Sequence, residues 1–308
     1  MQLCAFCVYN QFYIALQSIF NSLIRITHYN INNYTLLKRN LDLEKGSLTI
    51  VGTGIQLVGH LTKGAEAWIQ QADKVLFALA DPVTAKWLKT LNASAEALPY
   101  NTDNQRRRET YREMVERMLT EVRKGINVCA VFYGHPGVFA DPAHNAIRQA
   151  RREGFRAQML AGVSAEDCLF ADLGVDPGKN GCQSFEATDF LIRRRRFDAH
   201  SALILWQIAM VGNLGFYQEG GHKLGLTVLG EVLGESYGPE HEVVVYEAAV
   251  YHPVCEPVIQ PLPLSKLAEA KVTAVSTLYL PPKGPAPVDN EMMARLGMAP
   301  MSGTENIG

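Results

Sequence analysis

Short apolar runs alternate with stretches of helical spacing from residue 46 onward. The runs SLTIVGTG, from Ser47, and KVLFALADP, from Lys74, end in glycine or proline, which is typical of buried strands. A helical stretch through Trp68 lies between them. Residues 107–124 repeat apolar side chains at the three- and four-residue spacing of a helix. This alternation predicts an α/β fold built on a parallel sheet.

Further strands and helices are predicted along the rest of the chain. We predict a strand at NVCAVFYG, a helix near 143–153, a strand at FRAQML and a helix capped by Ser164. Beyond the loop GVDPGKNGC we predict strands at SALILWQIA, HEVVVYEAA and AVSTLYLPP, with a helix around 223–236. Because no internal repeat is visible, we expect two α/β lobes with a cleft between them.

The composition narrows the class of protein. At roughly 150 residues per domain, a chain of 308 residues predicts about two domains. A hydrophobic share of 47% excludes a disordered chain, and a net charge of −2 gives no broad basic surface for nucleic acid. The pair Cys4 and Cys7 has no second pair, so we expect no metal site.

We divide the chain into four parts: an N-terminal extension of unknown role (1–45), an N-terminal lobe (46–162), a C-terminal lobe (163–283) and a tail (284–308). The apolar stretch 3–20 contains Asn and Gln, so we expect it neither to span a membrane nor to serve as a signal peptide. With only six scattered cysteines, the expected location is the cytoplasm.

Two motifs indicate ligand binding. Gly52-Thr53-Gly54 ends the first predicted strand but lacks the third glycine of a dinucleotide site, since Leu57 stands there. The heptad YGHPGVF begins at Tyr133, and such a string is either a tight turn or a rigid loop built for contact.

The heptad is followed by GVSAEDCLFADLG, LWQIAMVG, VVVYEAA and AVSTLYLPPK, in that order. With them, the chain over residues 46–283 resembles the tetrapyrrole methylase superfamily, and within it the borosin branch of peptide backbone α-N-methyltransferases. The resemblance implies a two-lobed α/β fold, S-adenosylmethionine (SAM) in the cleft between the lobes, and a homodimer.

The resemblance also implies a set of residues around the cofactor. These are Tyr133, His135, Val138, Phe139, Ser164, Ala165, Gln207, Ala248, Ser276 and Thr277. Taken singly, His135 is more commonly a structural histidine.

Methylating an amide nitrogen is difficult because its lone pair is shared with the carbonyl. Arg107 and Tyr111 are four residues apart on one predicted helix, and Tyr100 precedes it, so they form a plausible set for stabilising the carbonyl oxygen and removing the N–H proton. The family's matching segment carries an arginine and tyrosines in the same arrangement. The alternative is a solvated Arg-rich helix start with Tyr111 in the core.

The implied substrate is a ribosomally made precursor peptide. We expect a split system in which a separate peptide is methylated in trans, by a homodimer or within a heterotetramer with the precursor, although a chain that has lost a fused peptide fits equally. Two other functions stay open: a methylase of a tetrapyrrole or another small molecule, and a non-catalytic subunit that binds SAM or holds the precursor.

Overall fold

The computed structural model describes residues 46–79, 81–100, 107–213 and 223–300. The predicted extension 1–45 lies outside these residues. Within them, no helix is long and apolar enough to cross a bilayer. The strands are β1 (Ser47–Gly52), β2 (Lys74–Ala78), β3 (Glu96–Ala97), β4 (Asn127–Phe132), β5 (Arg156–Met159), β6 (Cys182–Glu186), β7 (Ala202–Trp206), β8 (Glu242–Glu247), β9 (Val258–Pro263) and β10 (Thr277–Leu280). The helices are α1 (Lys63–Gln71), α2 (Pro82–Leu91), α3 (Arg107–Arg123), α4 (Asp141–Arg152), α5 (Ala165–Leu173), α6 (Pro177–Asn180), α7 (Ala187–Ile192), α8 (Lys223–Tyr237) and α9 (Asn290–Arg295), with 3-10 helices at Ile208–Met210 and Leu264–Glu269.

The first sheet has the strand order β3-β2-β4-β1-β5, and all its pairings are parallel. Successive side chains of a strand point to opposite faces, so β1 contributes to two cores. Leu48 and Ile50 pack with α3 and α4, whereas Val51 packs with α1 and α2. The lobe is therefore a three-layer α/β/α unit, as the alternation of strands and helices predicts.

The second sheet has the order β6-β7-β10-β8-β9. Only β6 and β7 pair in parallel, and the other three pairings are antiparallel. The parallel pairing predicted from the first strands of the chain therefore does not extend to this lobe. The segment 248–257 between β8 and β9 contains no helix, so the chain returns antiparallel instead of crossing over.

Several local elements differ from the pattern-based prediction. The strand predicted at SALILWQIA ends at Trp206, because Gln207 adopts a left-handed conformation and the next residues form a 3-10 helix. The short or exposed strands β3, β6 and β9 lack a distinct apolar run. The predicted tail contains the helix α9, whose Met293 is buried.

The two sheets direct their loops to a common region. In the first sheet, the loops after β1, β2 and β4 lie at the carboxyl ends of parallel strands, where α/β proteins commonly bind ligands. In the second sheet, the residues after β7 and β8 and the start of β10 share one edge.

Candidate active site

A cleft of about 670 Å³ lies where these loops meet. This volume is within the roughly 300–1,000 Å³ of small-molecule sites. Most lining side chains are apolar, and they come from both lobes. The lining residues are Thr53, Ile55, Gln56, Leu57, Val58, Phe77, Ala78, Leu79, Asp81, Thr84, Trp87, Ala97, Leu98, Tyr100, Tyr111, Met114, Phe132, Tyr133, Gly134, His135, Val138, Phe139, Ala140, Pro142, Ser164, Ala165, Trp206, Gln207, Ala248, Val250, Ala274, Val275 and Thr277.

The floor of the cleft depends on close backbone approach between the loops after β1 and β4. Gly54 and Gly134 form an antiparallel bridge, with N–H to oxygen distances of 3.2 and 3.0 Å. A Cβ at Gly52 would lie 2.0 Å from the carbonyl oxygen of Gly134. The Gly-Thr-Gly motif therefore serves to bring two loops together.

Backbone strain is concentrated at the cleft. Among the described residues, four non-glycine residues have positive φ, and three of them line the cleft: Val58, Phe139 and Gln207. Left-handed geometry is especially costly for a β-branched residue such as Val58. Such strain persists where surrounding structure fixes it, and it is common at ligand sites.

Two histidines contact the backbone of the heptad loop. Nδ1 of His135 accepts a hydrogen bond of 2.9 Å from the backbone N–H of Gly137, so the proton of the neutral ring is on Nε2. Nε2 of His144 lies 2.8 Å from the Gly137 carbonyl oxygen. The ring of Phe139 lies 5.6 Å from that of Trp206 in the other lobe. The loop thus contacts both lobes.

Tyr133 presents a protonated phenol to the cleft. Burial raises its pKa to about 12, with a smaller contribution from the neighbouring Cys168. At neutral pH its hydroxyl is therefore a hydrogen-bond donor rather than a base.

Ser164 and Ala165 reach the cleft at the start of α5. The Ser164 side chain accepts from the backbone N–H of Asp167, and the Asp167 carboxylate accepts from the backbone N–H of Ser164 at 2.6 Å. This reciprocal capping box fixes the end of the helix against the cleft and confirms the predicted cap at Ser164.

Nine of the ten residues expected around the cofactor line the cleft. The exception is Ser276, which is fully buried. Its hydroxyl donates to the Glu247 carboxylate and accepts from the backbone N–H of Thr273 at 2.7 Å. The Ser276 side chain therefore braces the start of β10 and is not part of the cleft wall, while its neighbour Thr277 is.

Two of the three predicted catalytic residues also line the cleft. Tyr111 lies on α3 and Tyr100 in the segment before it, and Tyr100 is 55% exposed. Arg107 is the first residue of α3, four positions before Tyr111, and its side chain lies outside the described part of the chain.

Asp81 is a cleft residue that the sequence motifs missed. Its carboxylate caps α2 by accepting from the backbone N–H groups of Val83 and Thr84, at 3.2 and 2.6 Å. Desolvation acts to raise its pKa, but hydrogen bonds from Thr84 and Tyr251 outweigh this and lower it. The Asp-Pro pair after a predicted strand is a helix-start signal that could have located this residue.

Across the described ranges, no group of three or more His, Cys, Asp or Glu side chains is arranged to hold a metal ion. Among the described residues that line the cleft, the polar side chains carry hydroxyls, amides, two indole N–H groups, one imidazole and one carboxylate.

Comparison with known proteins accounts for this architecture. A family model described as Tetrapyrrole (Corrin/Porphyrin) Methylases matches residues 47–252. The chain belongs to this family. The match begins in β1 and extends through β8 to the segment beyond it, so it covers most of the residues that line the cleft.

Two curated relatives join a methyltransferase to a peptide precursor. The chain is 42% identical over 269 residues to the methyltransferase/ribosomally synthesized cyclic peptide dendrothelin A precursor of Dendrothele bispora. It is 43% identical over 269 residues to the corresponding omphalotin A precursor of Omphalotus olearius. Each match covers 86% of this chain and 64% of the relative, so the chain spans less than two thirds of their length. The resemblance to borosin methyltransferases is confirmed.

Solved structures agree on the fold. The uroporphyrin-III-C-methyltransferase of Thermus thermophilus superimposes with a TM-score of 0.54 at 16% identity. The superposition covers 77% of this chain and 93% of that enzyme. The two-lobed α/β tetrapyrrole methylase fold expected from the sequence is confirmed.

Proposed function

We propose that this chain is a SAM-dependent methyltransferase that N-methylates backbone amides of a ribosomally made precursor peptide supplied in trans. One observation carries the proposal: Tyr100 and Tyr111 line the same cleft as nine residues of the expected cofactor shell. A methyl donor held by that shell would therefore lie in the same cavity as two phenols.

The cleft residues suit SAM. The cavity is large enough for a nucleoside joined to an amino acid, and its apolar walls would exclude water from a sulfonium. Gln207 offers an amide that both donates and accepts, and Thr277 offers a hydroxyl. Tyr133 offers an aromatic face to a cation and, with its raised pKa, a phenol that stays neutral. When bound, SAM supplies the methyl group.

The chain's own residues must make the amide reactive. Arg107, at the start of α3, would place a permanent positive charge near the carbonyl oxygen as negative charge builds there. Drawing electrons onto that oxygen reduces double-bond character in the C–N bond.

The amide N–H proton needs an acceptor. The phenolate oxygen of Tyr111 would accept this proton, with Tyr100 alongside, while SAM would supply the methyl group. An ordinary tyrosine has a pKa near about 10, and a neighbouring guanidinium favours the phenolate. This gives Arg107 and Tyr111 complementary roles four residues apart on one helix.

Two findings favour a peptide over a tetrapyrrole. The curated relatives are named for both a methyltransferase and a ribosomal peptide precursor. Among the described side chains that line the cleft, none is a lysine or arginine to neutralise the carboxylates of a tetrapyrrole.

The test is methylation of a defined peptide. The purified chain is incubated with SAM and a linear, unmethylated peptide of the dendrothelin A sequence, and the product is analysed by tandem mass spectrometry. We expect mass increments of one methylene unit on backbone nitrogens. SAM binding without any increment, on this peptide or on one of the omphalotin A sequence, would contradict peptide methylation.

The Tyr111→Phe variant tests the catalytic role. Because only the hydroxyl is removed, we expect turnover to fall by at least about a hundredfold, the usual size of a general acid–base contribution. SAM affinity, measured by calorimetry, should stay within a factor of two. Unchanged turnover would remove Tyr111 from the mechanism.

The proposal includes a homodimer, with the precursor bound as part of a heterotetramer. Sedimentation velocity of the chain with and without the peptide measures both states. A monomer that still methylates the peptide would contradict this assembly.

A further inference from the structure

The residues that follow β8 form a strap against the cleft. We define the strap as residues 248–251, and both Ala248 and Val250 line the cleft. The strap belongs to the C-terminal lobe by sequence. Its contacts, however, reach the N-terminal lobe.

Two consecutive strap residues are tethered to the N-terminal lobe. The carbonyl oxygen of Val250 accepts a hydrogen bond of 3.0 Å from the backbone N–H of Leu57, in the loop after β1. The hydroxyl of Tyr251 donates a hydrogen bond to Oδ1 of Asp81, after β2. The strap therefore joins two loops of the opposite lobe.

Asp81 connects the strap to α2. Its Oδ1 accepts from the backbone of Val83 as well as from Tyr251, and its Oδ2 accepts from the backbone and the hydroxyl of Thr84. The same carboxylate thus caps the helix and holds the strap. Thr84 and Trp87, on the first turns of α2, line the cleft.

The strap and the residues that it contacts are not among those expected to bind the cofactor. Leu57, Asp81, Thr84, Trp87 and Val250 line the cleft but are not part of the expected SAM shell. Tyr100 and Tyr111 line the same cavity. With SAM in the expected shell, this part of the cleft would be left for the second substrate.

We propose that Tyr251 is a positioning residue for the peptide: by donating to Asp81, it holds the strap and the start of α2 at the separation that admits a peptide backbone beside Tyr111. This inference rests on the proposed function. Tyr251 acts through Asp81 and takes no part in the transfer itself. Without the Tyr251 hydroxyl, the strap keeps only its hydrogen bond to Leu57. The strap and the start of α2 are then less well ordered when the peptide binds.

The test compares steady-state kinetics of the wild type and Tyr251→Phe with the linear dendrothelin A peptide. A hydrogen bond to a charged group contributes measurably to ordering, so we expect the peptide KM to rise about five- to twentyfold. We expect kcat and the calorimetric SAM dissociation constant to change by less than about twofold. An unchanged peptide KM, or a loss confined to kcat, would overturn the proposal.

The double variant separates positioning through Asp81 from a general loss of packing. Asn still caps helices well, so Asp81→Asn preserves α2 while weakening the acceptor for Tyr251. If the two residues act as a unit, Tyr251→Phe adds less than about twofold to the KM of Asp81→Asn. Effects that multiply would show that Tyr251 acts independently of Asp81.

Tyr237→Phe is the matched control. Its hydroxyl is buried and has no hydrogen-bond partner among the described residues, so its removal should leave both kinetic constants unchanged. Peptide binding is also measured by fluorescence anisotropy with S-adenosylhomocysteine in place of SAM. If the wild type neither binds nor methylates the peptide, the proposed function is wrong. If the wild type does both and Tyr251→Phe binds the peptide equally tightly, only the role of Tyr251 is wrong.

Discussion

The hydroxyl of Tyr246 donates a hydrogen bond of 2.6 Å to Oδ2 of Asp172. Tyr246 lies on β8 with its side chain 1% exposed, and Asp172 lies near the end of α5. The bond therefore fastens the helix that carries Ser164 and Ala165 to the strand that leads to Ala248. All three of these residues line the cleft.

We expect Tyr246→Phe to lower the free energy of unfolding by about 1 to 2 kcal/mol, the range for a hydrogen bond to a partly solvated carboxylate. Urea denaturation at neutral pH measures this loss. A change below about 0.3 kcal/mol would contradict the bond's contribution.

The same variant should change how the free energy of unfolding depends on pH under alkaline conditions. Desolvation, followed by the bond to Asp172, raises the pKa of Tyr246 well above its usual range. The hydroxyl has a higher pKa in the folded protein than in the unfolded protein, where it is about 10. Its contribution to stability is therefore fully present below about pH 10 and is lost as the pH rises further. Above pH 10, stability should fall more steeply for the wild type than for Tyr246→Phe. Parallel curves would refute this.

Gly52→Ala should disrupt the cleft. The new Cβ would lie 2.0 Å from the Gly134 carbonyl oxygen and 2.8 Å from Cδ of Pro136, so the heptad loop must move. We expect a marked loss of melting temperature and of SAM affinity. In the control Gly64→Ala, on α1, the Cβ meets nothing within 4 Å, and stability should be unchanged or rise by up to about 1 kcal/mol. Equal behaviour of the two variants would contradict the close approach.

Arg123→Ala should raise the pKa of Glu153. Hydrogen bonds from Arg123, and secondarily from Gln149, lower the pKa of Glu153 to about 2. Without the guanidinium, we expect Glu153 to titrate near about 4.3, as measured by NMR. Because the folded pKa is depressed, the pair's contribution is present above the unfolded pKa and is lost as pH falls from about 4 towards 2. Arg152→Ala is the control, since Arg152 forms no salt bridge with the described residues, and it should leave this titration in place.

Local patterns in the sequence predicted the elements that depend on short-range physics. The helix over 107–124 is observed as Arg107–Arg123, and the cap at Ser164 is observed as a complete capping box. Periodicity and capping involve neighbours within a few residues, so they are visible without the fold. The heptad and the segments after it also identified, by resemblance, nine residues that line one cleft.

Other features arose only when distant segments met. Whether the Ser276 side chain faces the cleft or Glu247 depends on how β10 packs against β8. A serine side chain is compatible with either environment, so the residue type alone does not decide between them. The bond between Tyr251 and Asp81 joins residues 170 positions apart. A hydroxyl or a carboxylate does not specify its partner, because many arrangements satisfy the same hydrogen bond. The sequence therefore determined the main strands and helices and the loops that build a site. Tertiary packing decided which polar side chains face the cleft and which fasten its walls.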